Sequence, residues 1–240
     1  APSVAFLAKC GERGGLRLGC VAECMKQIEW NNKLSNIIVE AGETVTIFDT
    51  AEKSGKAIIK VKPNAFVSYF YIPQTVMVEE AEKERELVVE IEEDPQAEVY
   101  GAVLSHGEEK YRFNLVQHHK GERSKSKTLF KGVGKDKSLQ EFFGMIKIDK
   151  TAQQSNAFLE NRVLLVSEHA TSRAKPELEI NANNVKASHA ATTGRINEDQ
   201  LFYLQSRGID VKTAEELIAK GFLGEIHSRM KSYDLTPSLI

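Results

Sequence analysis

The chain has 240 residues, 41% apolar and 28% charged, enough for one sizeable core with small flanking elements. Its net charge of -2 gives no global pull toward nucleic acid or an anionic membrane, and its apolar runs are too short to span a bilayer. The N-terminus lacks the order of a secretory signal, so a cytoplasmic location is expected.

Residues 1–33 form an N-terminal segment. Its glycines (Gly11, Gly14, Gly15, Gly19) match neither a Rossmann nor a P-loop spacing and read as a turn or lead-in. A short helix is expected over Val21–Trp30. All three cysteines, Cys10, Cys20 and Cys24, lie here. An odd, clustered set argues against a disulfide framework. Three thiols could ligate zinc, or an iron–sulfur cluster completed by an outside ligand, but the spacing matches no standard knuckle. On a helix Cys20 and Cys24 would share a face, as two small buried residues also would.

From 34 to 193 the sequence becomes a succession of short strands. They include Ile37–Val39, Ala57–Val61, Phe66–Ile72, Leu87–Ile91, Val99–Leu104, Tyr111–Val116, Leu129–Val133, Phe142–Ile148, Val163–Val166, Leu178–Ala182 and Val185–His189. In Tyr111-Arg112-Phe113-Asn114-Leu115 every second residue is apolar, the period of a half-buried strand. So many strands without crossover helices imply a barrel, a sandwich or a solenoid. No fixed repeat length appears, so periodicity does not choose among them. An acidic run, Glu79–Asp94, and a basic run, Lys120–Lys137, read as solvated loops or edge strands.

Residues 194–240 turn helical. Asn197 with Gln200 opens a helix over Glu198–Arg207 that Gly208 is placed to end. Thr213 with Glu216 opens a second, whose apolar residues are Leu217, Ile218, Phe222, Ile226 and Met230. The first helix carries Leu201-Phe202-Tyr203-Leu204 in succession. Four such residues point to several sides of a helix, so packing on the β body, on a partner, or on both is expected.

No familiar enzymatic constellation is present: no G-x-S-x-G, Walker A, H-E-x-x-H or C-x-x-C. His118 and His119 are neighbours, so on a strand they face opposite ways and cannot share a metal; each reads as exposed or partly packed. Glu168-His169 and the 34 carboxylates are weak signals. Alternation puts His189 on the face of Val185 and Ala187. On an apolar face a histidine is ordinarily a satisfied core residue; otherwise it ligates something or lies at an interface.

The stretch Pro176-Glu177-Leu178-Glu179-Ile180, then Asn183-Asn184-Val185-Lys186-Ala187-Ser188-His189-Ala190-Ala191-Thr192, resembles the SufB/SufD signature. Gly194, Asp199–Leu204 and Ser206–Ile209 continue it, and the match is dense from about Val163 to Phe222. The resemblance implies a mainly β fold, a right-handed parallel β-helix with a C-terminal helical domain. It implies a non-enzymatic scaffold that assembles iron–sulfur clusters with a SufC-type ABC ATPase and a SufB/SufD-type subunit, as a homodimer or heterodimer. Iron or a cluster would be bound transiently in that complex, with none held tightly by the isolated chain. His189 matches the family histidine implicated at the subunit interface. Leu201, Phe202, Tyr203 and Arg207 become candidates for the ATPase-facing or domain-packing surface. Two departures favour the SufD-like role: Ala170 stands where SufB subunits carry a cysteine, and Ala190 where they carry a glutamate; the glycine usual after the histidine is also absent, which is a departure from the SufD-like pattern as well. The competing readings are a β-helical enzyme acting on polysaccharide, weakened by a lone Trp30 outside the strands, and a purely structural dimerisation protein.

Overall fold

The structure is a computed structural model that describes residues 6–8, 26–30, 35–50, 54–73 and 82–231. Among these residues fourteen strands build two sheets. Sheet A has eight, in spatial order β1 (Phe6–Ala8), β2 (Lys26–Trp30), β4 (Thr44–Asp49), β6 (Phe66–Tyr71), β8 (Gln96–Ser105), β10 (Lys125–Gly134), β12 (Asn156–Leu165) and β14 (Lys186–Arg195). Sheet B has six, β3 (Ser35–Val39), β5 (Gly55–Val61), β7 (Glu82–Ile91), β9 (Lys110–His119), β11 (Leu139–Ile148) and β13 (Thr171–Ile180). From β3 onward the chain alternates between sheets, and all pairings except β1 with β2 are parallel. This is a β-solenoid, each coil giving one strand to each sheet. Between 60 and 180 the described residues hold only strands, turns and connecting segments.

Alternation in sequence becomes inside and outside of the coil. Inward residues stack in register: Ile47, Tyr69, Val99, Thr128 and Leu159 form one column of sheet A, each at most 1% exposed. Ile59, Val89, Gln117 and Ile146 form a column of sheet B. Between the sheets the rings of Tyr71, Phe113, Phe130 and Phe142 make a chain of contacts with centroids 4.7–5.2 Å apart. Gly101 permits it, because a Cβ there would come within 2.2 Å of the Phe130 ring.

One corner repeats a left-handed turn residue in successive coils: Gly42, Asn64, Asp94, Arg123 and Gln154. Their amides form a ladder to the next coil, Asn64 to Glu93, Asp94 to Glu122, Arg123 to Gln153 and Gln154 to Asn184. Non-glycine residues accept this conformation at some cost, and Asn and Asp accept it most readily.

Helix α1 (Glu198–Ser206) is capped by Asn197, whose side chain accepts from the amides of Asp199 and Gln200. It ends in a left-handed Gly208, with Gly208 N–H bonded to Gln205 and Ile209 N–H to Leu204, the two bonds of a Schellman stop. Helix α2 (Val211–Lys231) begins two residues before the expected Thr213. Asp210 is its cap, accepting from the Thr213 amide at 3.0 Å and hydroxyl at 2.6 Å, which holds its carboxyl below the usual range. Ala219, Leu223, Ile226 and Met230 pack on Phe48, Phe70, Tyr100, Leu129, Val133 and Leu164, the outer face of sheet A. Leu217, expected on this stripe, is 46% exposed.

Two further expectations change. Lys26–Trp30 is a strand, parallel to β4, where a helix over Val21–Trp30 was expected; residues 21–25 lie outside the described residues. Lys26, Ile28 and Trp30 alternate with Gln27 and Glu29, and the sheet supplies partners that a short helix would lack. The acidic and basic runs contain β7 and β10, both internal strands. They lie on successive coils and pair, Arg123 with Glu93 and Asp94 at 2.7 Å and Lys120 with Glu90 at 3.0 Å.

Candidate functional site

Among the described residues no strand lies beyond the last coil, β13 and β14, in either sheet. Its inward row therefore lies open where the rows beneath are covered. Leu178 and Ile180 top the columns of Ile146 and Ile148, which are both 0% exposed, yet are themselves 39% and 40% exposed. His189 pairs in register with Leu159 and tops the column begun by Ile47. Val185 and Ala187 are half-buried against the core, as the alternation required, but His189 is exposed. It is not a satisfied core histidine: among the described residues none hydrogen-bonds its ring.

Two coils below lies a polar interior built on His119, Ser124 and Ser126. His119 points inward, fully buried, with Nδ1 2.7 Å from Ser124 Oγ and Nε2 2.8 Å from Ser126 Oγ. Desolvation lowers its pKa to about 4, and the neighbouring His118 adds to the shift. His118 faces outward to Asp149 at 2.9 Å. The reading of both as exposed or partly packed holds for His118 alone. The signal was present: Ser124, Ser126 and Thr128 alternate with lysines, a polar inward face in period two. Farther down, Asp49 accepts from Tyr69 and Arg85 in the same interior, all three at most 2% exposed. Glu168 and His169 sit exposed in the turn between β12 and β13, and only the Glu168 carbonyl is engaged, by Arg195.

Helix α1 presents the second surface. None of its residues is buried. Leu201 and Leu204 are half-buried, while Phe202 is 72% and Tyr203 56% exposed. The Arg207 guanidinium lies 5.2 Å from the centroid of the Tyr203 ring. Purely intramolecular packing of the four apolar residues is thus not what the fold does. Beside α1 a cleft of about 680 Å³ is lined by Leu164, Ile196, Tyr203, Leu204, Ile218 and Phe222. Cys10, Cys20 and Cys24 lie outside the described residues. Ala170, which the resemblance aligned with a SufB cysteine, is fully buried at the corner before β13, beside Val163 and Leu165.

Residues 18–222 match the family model described as SUF system FeS cluster assembly, SufBD core domain. The chain belongs to the SufB/SufD family. The iron–sulfur cluster assembly protein SufD of Bacillus subtilis is 41% identical over 124 residues, 52% of this chain and 28% of that protein. SufD of Escherichia coli is 35% identical over 125 residues, 52% of this chain and 29% of that protein. Protein ABCI7, chloroplastic, of Arabidopsis thaliana is 38% identical over 114 residues, 47% and 24% respectively. The chain thus spans less than a third of each of these relatives. Within the SufB/SufD family the likeness is to SufD, in accord with Ala170 and Ala190. A β-helical enzyme acting on polysaccharide is not favoured. No helix among the described residues is long and apolar enough to cross a membrane.

Proposed function

We propose that the chain is a SufD-like scaffold subunit for iron–sulfur cluster assembly, working in the cytoplasm with a SufC-type ABC ATPase and a second SufB/SufD-type subunit. The observation that carries this reading is His189 at the head of an inward-facing column, exposed where no described strand covers the last coil. A second subunit adding strands to β13 and β14 would cover it and bring partner ligands beside it. The neutral imidazole can bind iron through one nitrogen while the other holds a hydrogen bond that fixes the ring. It supplies one ligand, so iron or a nascent cluster, the cargo of the reaction, is held only transiently and only in the assembled complex. The thiolates such clusters require come from the partner. Nucleotide hydrolysis belongs to the ATPase, which the exposed aromatic face of α1 receives.

The test is anaerobic cluster formation by the assembled complex. His189→Ala leaves fold and ATPase capture intact and reduces cluster formation. A mutant complex that forms clusters at the normal rate makes His189 structural and removes the reading.

A further inference from the structure

Asn161 is the one inward-facing polar residue of β12. Its inward neighbours Ala157, Leu159, Val163 and Leu165 are apolar, and Asn161 itself is 0% exposed. Neither its Oδ1 nor its Nδ2 has a hydrogen-bond partner among the described residues. A carboxamide buried with both ends unpaired gives up its water without replacement, so it destabilises the core where a leucine would not. Packing gives no reason for an asparagine here.

Its place in the coil does. Phe130 lies in register beneath Asn161, and Ala191 of the last coil lies above it. His189 lies above Leu159, two residues along the same strands. Asn161 and His189 are thus diagonal neighbours on the inner face of sheet A, about 8 Å apart at Cα from strand spacing and rise. Diagonal pairs are within reach of aromatic and long side chains. Ala191, directly over Asn161, carries only a methyl group that could stand between them. The other residues around His189 on this face are Ala187, Ala191 and Leu159, none of which can hold a ring nitrogen. Ser188 and Ala190 point to the opposite face. A buried carboxamide without partners therefore sits beside an exposed imidazole that no described residue hydrogen-bonds.

We propose that Asn161 is the positioning residue for His189. The exposed ring turns about its own side-chain bonds until one nitrogen donates its proton to Asn161 Oδ1. The other nitrogen carries no proton and is left free to take iron. A neutral imidazole has a single N–H, so this one bond selects the tautomer as well as the direction of the ring. Asn161 does not touch the iron and acts only through His189. The inference rests on the reading of His189 as an iron ligand and adds the residue that sets its geometry. It also accounts for a polar side chain that weakens the core in which it sits.

Asn161→Leu and Asn161→Asp in the full-length chain test this, with His189→Ala as the reference. Leucine removes the unpaired carboxamide, so that variant is expected to melt at the wild-type temperature or above. In the assembled complex its anaerobic cluster formation is expected to fall about tenfold or more. Aspartate keeps the accepting oxygen and is expected to restore most of that loss. Asn161→Leu combined with His189→Ala is expected to be no worse than His189→Ala alone, because the two residues act as a unit. Nitrogen NMR of the histidine-labelled wild type at mildly alkaline pH needs no variant to fold. His189, assigned by loss of its signals in His189→Ala, is expected in a single tautomer, giving way to the mixture of a free imidazole in Asn161→Leu. A wild-type His189 that already shows that mixture overturns the proposal. So does a folded Asn161→Leu complex that forms clusters at the wild-type rate, or an unchanged tautomer in that variant. Normal cluster formation by His189→Ala overturns instead the ligand reading itself, and the tautomer alone then decides whether Asn161 orients the ring.

Discussion

Lys131 reaches from β10 to the main-chain carbonyl of Phe222 in the middle of α2, with Nζ 2.9 Å from the oxygen. The same ammonium lies 2.9 Å from the Glu225 carboxylate, and its side chain is only 7% exposed. Its hydrogen bond holds the Glu225 carboxyl below the usual range. An apolar helix face alone would allow α2 to slide on sheet A; a buried cation bonded to one carbonyl sets its position. Lys131→Met keeps the apolar stem and removes the donors. The expected loss is about 1–3 kcal/mol of stability, with faster amide exchange concentrated in α2. Unchanged exchange there would mean that packing alone positions the helix.

Arg85 and Asp49 form an ion pair inside the solenoid, joined by Tyr69. Arg85→Met leaves a carboxylate in the core and is expected to cost about 3–5 kcal/mol. Arg85→Met with Asp49→Asn removes both charges and should cost less than the single change, a coupling that urea denaturation of the two variants and the Asp49→Asn control will read. A double variant as unstable as the sum of the singles would show that the charges act independently.

His119 makes stability depend on pH. Its folded pKa of about 4 lies below the ordinary value near 6.5, so the unfolded chain binds the proton more readily. The contribution is fully present above pH ~6.5 and is lost as pH falls through about 4, up to about 3 kcal/mol. Melting temperature measured across that window should fall for the wild type and fall less steeply for His119→Gln. Parallel curves would assign the acid sensitivity to carboxylates.

Phe202 and Tyr203 stand exposed on α1, so truncating them should leave folding within about 0.5 kcal/mol. As aromatic anchors of an interface they should matter for ATPase binding, with the double alanine variant about tenfold or more weaker in capture. A folded double mutant with undiminished binding would place the ATPase elsewhere. A large drop in melting temperature would show that the rings are packed after all.

Local chemistry made much of the fold legible. Alternation located strands such as Tyr111–Val116, because inward and outward positions differ by one residue, and Asn197 and Gly208 marked both ends of α1, because capping acts within a single turn of chain. The motif from Pro176 to Thr192 carried the family. The acidic side chain at 210 and the strand at Lys26–Trp30 were misread because Thr213 offered an equally good capping pattern and a five-residue alternation is too short to outweigh a helical reading.

Tertiary structure decided the rest, since coil neighbours are far apart in sequence by unequal distances. Ser35 pairs with Ala57, but Leu87 with Leu115 and Leu139 with Thr171, so spacings of 22, 28 and 32 conceal any period. For the same reason His119 could not be seen to meet Ser126 in a shared interior, nor Lys131 to meet Phe222. His189 and Leu159 have the same inward orientation thirty residues apart, and one is exposed while the other is sealed because no described strand lies above His189. Side-chain pattern fixes which way a residue points; the stacking of coils fixes what, if anything, lies above it.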